Sequence, residues 1–289
     1  MDRRDWLKGM AVGAAALAMR PSLSWASAQD INAQLAGLER QHGGRLGVAI
    51  LDTGNGHHAG YRADERFLLC STFKMLLAAV VLMRVDRGTE RLDTHLVFDK
   101  DALVEYAPVT SQHVGPPGMT IAELCHATIT VSDNTAANVL MKHLGGPHVV
   151  TDLARQLGDM LTRLDRIEPE LNRKTPDGLS DTTTPNAMIA NTQKLLLGNV
   201  LSDASRKQLT DWMLGTTTGK NLIRAGLPSD WRVGEKTGAN GFQNNDVAIL
   251  WPAGRKPLLV AAYYENAATD TAGRSAVLAA VGSIVAKVA

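Results

Sequence analysis

The hydrophobic pattern divides this chain into β-type ends and a helical middle. Asp30 can cap a helix that carries Ile31, Leu35 and Leu38 and stops at Gly43-Gly44. Leu46 to Leu51 is then a compact apolar run. The turn formers Asp52-Thr53-Gly54-Asn55-Gly56 and a second extended segment through Tyr61 complete a predicted hairpin. From about Phe67 to Leu214 helical signals dominate. Ser71 opens an apolar helix through Val85 that ends near Gly88, and Thr120-Ile121-Ala122-Glu123 is a capping box ahead of a helix containing Cys125. A further helix spans Asn134 to Leu144 before Gly145-Gly146, and Pro147 opens a segment closed by Gly158. Asp165 to Pro185 has few apolar residues and many turn formers, the pattern of a long ordered loop, which usually has a functional reason. β signals return at Arg232 to Thr237, Asp246 to Trp251 and Leu258 to Tyr264, followed by a terminal helix from about Ala272 to Lys287.

Strands at both ends around a helical middle imply an α+β fold. Its sheet is antiparallel, five-stranded, built from both termini and flanked by helices, with an all-helical domain inserted. The predicted partition is 29–66 with 215–289 for the α/β domain and 67–214 for the helical domain, including a loop at 163–181.

Composition narrows the function. The 289 residues are 45% hydrophobic, enough for a substantial core, and carry a net charge of only +1 with 4% aromatics. That balance gives no support for a nucleic-acid or membrane-surface partner. Arg3-Arg4-Asp5-Trp6-Leu7-Lys8, the weakly apolar run Gly9 to Met19 and the small residues Ala26-Ser27-Ala28 read as a signal peptide over residues 1–28. The paired arginines and the Ala/Gly-rich core resemble a twin-arginine signal, which implies export after folding to the periplasm or beyond. No other stretch reads as a membrane span. The histidines show no ligand spacing, His57-His58 falls in a turn, and neither metal nor cofactor is expected. Cys70 and Cys125 are too few for a disulfide scaffold.

Three short signals carry the chemistry: Ser71-Thr72-Phe73-Lys74, Ser132-Asp133-Asn134 and Lys236-Thr237-Gly238. Each occurs once. Alone, the first suits a solvated helix pair, the second a helix cap and the third an edge strand with a turn glycine. Together they form the motif set of class A β-lactamases and penicillin-binding proteins. Residues three apart on a helix share a face, so Lys74 can take or relay the Ser71 proton, and burial would favour its neutral form. Ser71 at a helix N-terminus gains backbone N–H groups for an attacked carbonyl oxygen. Ser132 can pass a proton to a leaving nitrogen, while the Asn134 amide can both donate and accept toward a substrate amide. Lys236 and Thr237 suit a substrate carboxylate, and the Ala239 N–H can be a second oxyanion donor opposite Ser71.

From Ala33 onward the chain resembles a class A serine β-lactamase, and Glu168-Pro169-Glu170-Leu171-Asn172 selects that family. The resemblance implies that Glu168 and Asn172 hold a hydrolytic water and that Arg166 pairs with Asp181 at the base of the loop. It also implies that Tyr106 lines the cleft entrance, that Trp231 is structural, and that the substrate is a small β-lactam handled by a monomer. A penicillin-binding D,D-peptidase shares the first three motifs but lacks the Glu168-type carboxylate; a β-lactam sensor domain would be tethered to membrane helices. Two departures stand out. Gln243-Asn244-Asn245-Asp246 supplies no arginine for the substrate carboxylate, leaving Arg224 and Arg274 as loose candidates. Cys70 and Cys125 each match half of a family bridge whose other half is replaced, by Asn240 and Ala78, so both thiols should be free.

Overall fold

The computed structural model describes residues 28–288, so the expected leader, apart from Ala28, lies outside the described residues. In chain order the elements are α1 (Ala28–His42), β1 (Arg45–Asp52), β2 (His58–Tyr61), β3 (Phe67–Leu68), α2 (Phe73–Asp86), β4 (His95–Leu96), β5 (Met119–Thr120) and α3 (Ile121–Thr130). There follow α4 (Asn134–Leu144), α5 (His148–Gln156), β6 (Thr182–Thr183), α6 (Pro185–Leu196), α7 (Asp203–Leu214), β7 (Arg232–Ala239), β8 (Gln243–Trp251), β9 (Leu258–Glu265) and α8 (Thr271–Val288).

Five strands form one antiparallel sheet in the order β2-β1-β9-β8-β7. The sheet is thus assembled from both ends of the chain, as the pattern predicts. Both of its faces are covered, which is why its central strands read as continuous apolar runs. Val48, Ile50, Val260 and Ala262 pack with Ile31 and Leu35 of α1 and Val281 and Val285 of α8. The alternate residues Ala49, Ile249, Leu259 and Ala261 face the other core, centred on α2. Phe73 to Leu82 of α2 are buried without a break, the condition of a helix surrounded by protein on all sides.

Several boundaries move. Asp30 lies in the first turn of α1 instead of capping it, a position where its charge still favours the helix dipole. Ser71 sits in a single 3-10 turn, Cys70–Thr72, with the α-helix beginning at Phe73. The helical middle includes α6 and α7, each capped by a hydroxyl, Thr184 and Ser202, that the periodicity alone did not single out. β8 starts at Gln243, three residues before the expected Asp246, because its polar head is buried and hydrogen-bonded. The capping box at Thr120 and Glu123 and the helix from Asn134 to Leu144 are found as expected. Among the described residues no helix is long and apolar enough to cross a membrane.

Candidate active site

The apolar surroundings of α2 hold Ser71 and Lys74 at the floor of a polar cluster. Lys74 is fully buried, and its Nζ lies 3.1 Å from Glu168 Oε1, 2.9 Å from the Ser132 carbonyl and 2.5 Å from Asn134 Oδ1. Burial pushes the Lys74 amine below its ordinary value, and the Glu168 carboxylate opposes that shift. Ser71 Oγ is 3.4 Å from the same Glu168 oxygen. Nucleophile, amine and carboxylate therefore meet at Glu168 Oε1.

The Ser132 corner is pinned from behind. Buried Asp133 caps α4 through Ala136 N and accepts from Val109 N, Thr110 N and the Thr110 hydroxyl. Its cap role and its place in the motif thus coexist. Lys236 Nζ donates to Ser132 Oγ at 3.0 Å, so the alternation of β7 does aim this lysine at the nucleophile side. Burial holds the Lys236 amine well below its ordinary value, with the Lys74 charge adding to the shift. The Thr237 hydroxyl lies 2.5 Å from that of Thr218.

β7 presses directly on the nucleophile turn. A Cβ on Gly238 would lie 3.0 Å from Ser71 N and 3.1 Å from Cys70 Cβ, so glycine suits this close approach of β7 to the nucleophile turn. Cys70, Tyr106, Ser132 and Asp181 all have left-handed φ values, between 42° and 65°. Such conformations are costly for residues with a side chain and gather where function fixes the backbone.

Glu168 arrives on the long loop between α5 and α6. Asn172 Nδ2 holds Glu168 Oε2 at 2.6 Å, leaving Asn172 Oδ1 without a protein partner. Arg166 Nε meets the buried Asp181 at 2.6 Å, and the Asp165 and Arg166 N–H groups donate to Asp181 as well. Leu69 N in turn donates to Asp181 O, and β6 pairs with β3, so the end of the loop is stitched to the segment that leads into Ser71.

Tyr106 is half exposed at the rim, where its carbonyl accepts from Asn134 N. The Asn134 amide is engaged within the protein, accepting from Lys74 and donating to Glu105 O at 2.9 Å. Trp231 packs against the sheet core beneath α8. Neither arginine candidate is free for a substrate: Arg224 pairs with Glu235 at 2.8 Å, and Arg274 is buried on Asn244 and the carbonyls of Asn266 and Thr269. Both cysteines are buried and free, and burial raises both thiols.

Sequence reasoning missed three supports. Asn138 accepts from Glu168 N at 3.0 Å and donates to Glu168 O at 2.9 Å; its place four residues after Asn134, on the same helical face, was the available signal. Gln243 and Asn245 hold the Leu68 and Leu69 carbonyls just before the nucleophile, legible only as polar residues at alternate positions of a strand. Asn240 donates to Asn172 O at 3.1 Å, joining the β7–β8 hairpin to the loop.

A half-buried serine in contact with a buried carboxylate that also pairs with a buried amine is an arrangement suited to acyl transfer. The model of the β-lactamase enzyme family matches residues 28–289. β-Lactamase OXY-1 of Klebsiella oxytoca is 44% identical over 288 residues, covering 99% of each chain. β-Lactamase CTX-M-8 of Citrobacter amalonaticus is 45% identical over 262 residues, 90% of each chain. Among solved structures, an ancestral class A β-lactamase superposes with a TM-score of 0.86 at 55% identity, over 88% of this chain and 98% of that one. A β-lactamase from Xanthomonas campestris gives the same TM-score at 48% identity, over 90% and 97% of the two chains. The chain belongs to the β-lactamase enzyme family, in its class A.

Proposed function

We infer that this protein hydrolyses the β-lactam amide bond of penicillins and cephalosporins through an ester on Ser71, with resistance to those antibiotics as the result. The meeting of Ser71 Oγ, Lys74 Nζ and Asn172-held Glu168 carries this reading. Ser71 Oγ attacks the lactam carbonyl carbon and its proton leaves through Lys74 and Glu168, while the Ser71 and Ala239 N–H groups stabilise the oxyanion. Ser132, bonded to Lys236, protonates the ring nitrogen as the C–N bond breaks and is reprotonated, by way of Lys74, with the proton taken from Ser71, which leaves Glu168 a carboxylate. Lys236 and Thr237 hold the substrate carboxylate, Asn134 its side-chain amide, and Tyr106 borders the opening. Glu168 then takes a proton from a water positioned with Asn172; the hydroxide attacks the ester and Ser71 is restored. Arg166 and Asp181 keep the loop in place for this second half.

Removing the Glu168 carboxylate should slow ester hydrolysis more than ester formation, by about 10²–10⁴-fold, the usual worth of a general base. Glu168→Ala incubated with a penicillin should show the adduct by intact mass, on the peptide containing Ser71, and Ser71→Ala should show none. Parent-like turnover without a trapped adduct would falsify the assignment.

The same reading takes residues 29–66 and 215–289 as one domain and 67–214 as the other, with the site between them in a monomer that has no lasting membrane contact. Residues 1–28 act as a twin-arginine leader to the periplasm or the medium. Arg3 and Arg4 replaced together by lysine should strand active enzyme in the cytoplasm; unchanged export of activity would remove that route.

A further inference from the structure

Glu235 and Asp246 are buried carboxyls with no part in the chemistry above. Thr237 and Asp246 are partners in the β7–β8 register, so Glu235, two residues before Thr237, lies diagonally opposite Asp246 on the same face of the sheet. That face is the one opposite Lys236. The pair is enclosed: a Cβ on Gly219 would lie 2.1 Å from Glu235 Oε1, and Ile223 and Arg224 close over it.

Two of the four carboxyl oxygens have donors, and one shared proton would settle the other two. Glu235 Oε1 accepts from Arg224 Nε at 2.8 Å, and Asp246 Oδ2 accepts from Ile223 N at 3.2 Å. Glu235 Oε2 and Asp246 Oδ1 are the only buried carboxyl oxygens left without a donor among the described residues. The diagonal register sets the two side chains next to each other on one face, within reach of a shared hydrogen bond. Two carboxylates repel and have nothing to donate; an acid and a carboxylate satisfy each other.

We propose that Glu235 and Asp246 share one proton at neutral pH, with Asp246 Oδ1 donating to Glu235 Oε2, and that this pair is a positioning device for Lys236 and Thr237. The charged groups facing the pair are Arg224, which neutralises Glu235, and Lys236 across the strand. With Asp246 neutral, no second anion stands behind β7 to oppose an incoming carboxylate at Lys236. A second anion under β7 would repel that carboxylate and push the strand away from its partner. The direction of both titrations agrees: burial, then the neighbouring Glu235 charge, hold the Asp246 carboxyl well above its ordinary range, and burial raises Glu235 against the pull of Arg224. The shared proton stands on the geometry alone. Its consequence for substrate rests on the β-lactamase reading.

Asparagine at 246 reproduces the neutral acid, donating to Glu235 and accepting from Ile223, whereas leucine keeps the shape and donates nothing. The difference infrared spectrum of parent minus Asp246→Asn at pH 7 should contain the carbonyl stretch of a protonated carboxylic acid. A group whose pKa is raised by folding loses stability as pH climbs from its unfolded value, about 3.9 for aspartate, to its folded one. Asp246→Asn should therefore melt above the parent at pH 7, with the gap closing toward pH 4. Asp246→Asn should keep KM for a penicillin within about threefold, while Asp246→Leu should raise KM about tenfold with a smaller change in kcat, the scale of one hydrogen bond to a charged group. Absence of the acid band overturns the shared proton, even if Asp246→Leu fails to fold. A band accompanied by equal KM values for the two variants overturns the positioning role. Neither result bears on the trapped Ser71 adduct, which tests the activity separately.

Discussion

The two sides of the site are held by opposite physics. Ser71 and Lys74 are placed by α2, whose residues from Phe73 to Leu82 are all buried among apolar side chains. Glu168 is placed by a loop with little apolar content, fixed by Asn138, Asn172 and the Arg166–Asp181 pair. Burial is non-directional and collective, so the α2 side resists single changes in where its groups point but is sensitive to lost volume. Hydrogen bonds are directional and few, so the loop side is sensitive to single polar deletions even when global stability barely moves.

The largest stability effect should come from the α2 side. Leu76→Ala, at a fully buried position, should cost about 2–5 kcal/mol in urea unfolding while leaving kcat per folded molecule nearly unchanged. A large fall in kcat with intact stability would break the contrast. Next, Asn138→Ala removes both bonds to the Glu168 backbone and should slow deacylation about tenfold to a hundredfold, with a smaller stability loss than Leu76→Ala. Pre-steady-state kinetics separates the two steps, and an equal slowing of acylation would contradict a role confined to Glu168. The smallest effect belongs to Lys174, a half-exposed loop residue paired with Glu265 and lying 5.3 Å from the Phe242 ring. Lys174→Ala should change stability by less than about 1 kcal/mol, and less again in high salt. A larger change would mean that the loop leans on its surface charges as well as its buried bonds.

The same contrast explains what could be seen in the sequence. α2 announces itself because burial on all sides demands an unbroken apolar run, and α3 because Thr120 and Glu123 cap each other. Ser71, Lys74, Ser132 and Lys236 are legible through short spacings and Glu168 through the family resemblance, and the structure brings all five together. Asn138, Gln243 and Asn245 were not found, because each acts on a backbone group 30 or more residues away and no local periodicity encodes such a partner. The arginine question resolves in the same terms. Arg224 was only a loose candidate, and its pairing with Glu235, on the strand that carries Lys236, becomes visible only in the structure.

The order of strands also fixes an order in time. β1 pairs along its whole length with β9, which is synthesised roughly two hundred residues later, and closing so long a loop is slow as well as entropically costly. Because β9 is also the bridge to β8, the β1–β2 hairpin and the β7–β8 hairpin remain separate pieces until it leaves the ribosome. A nascent chain that stops short of Glu265 can therefore carry Ser71, Lys74 and Glu168 complete and still have no finished sheet to press Gly238 against the nucleophile turn.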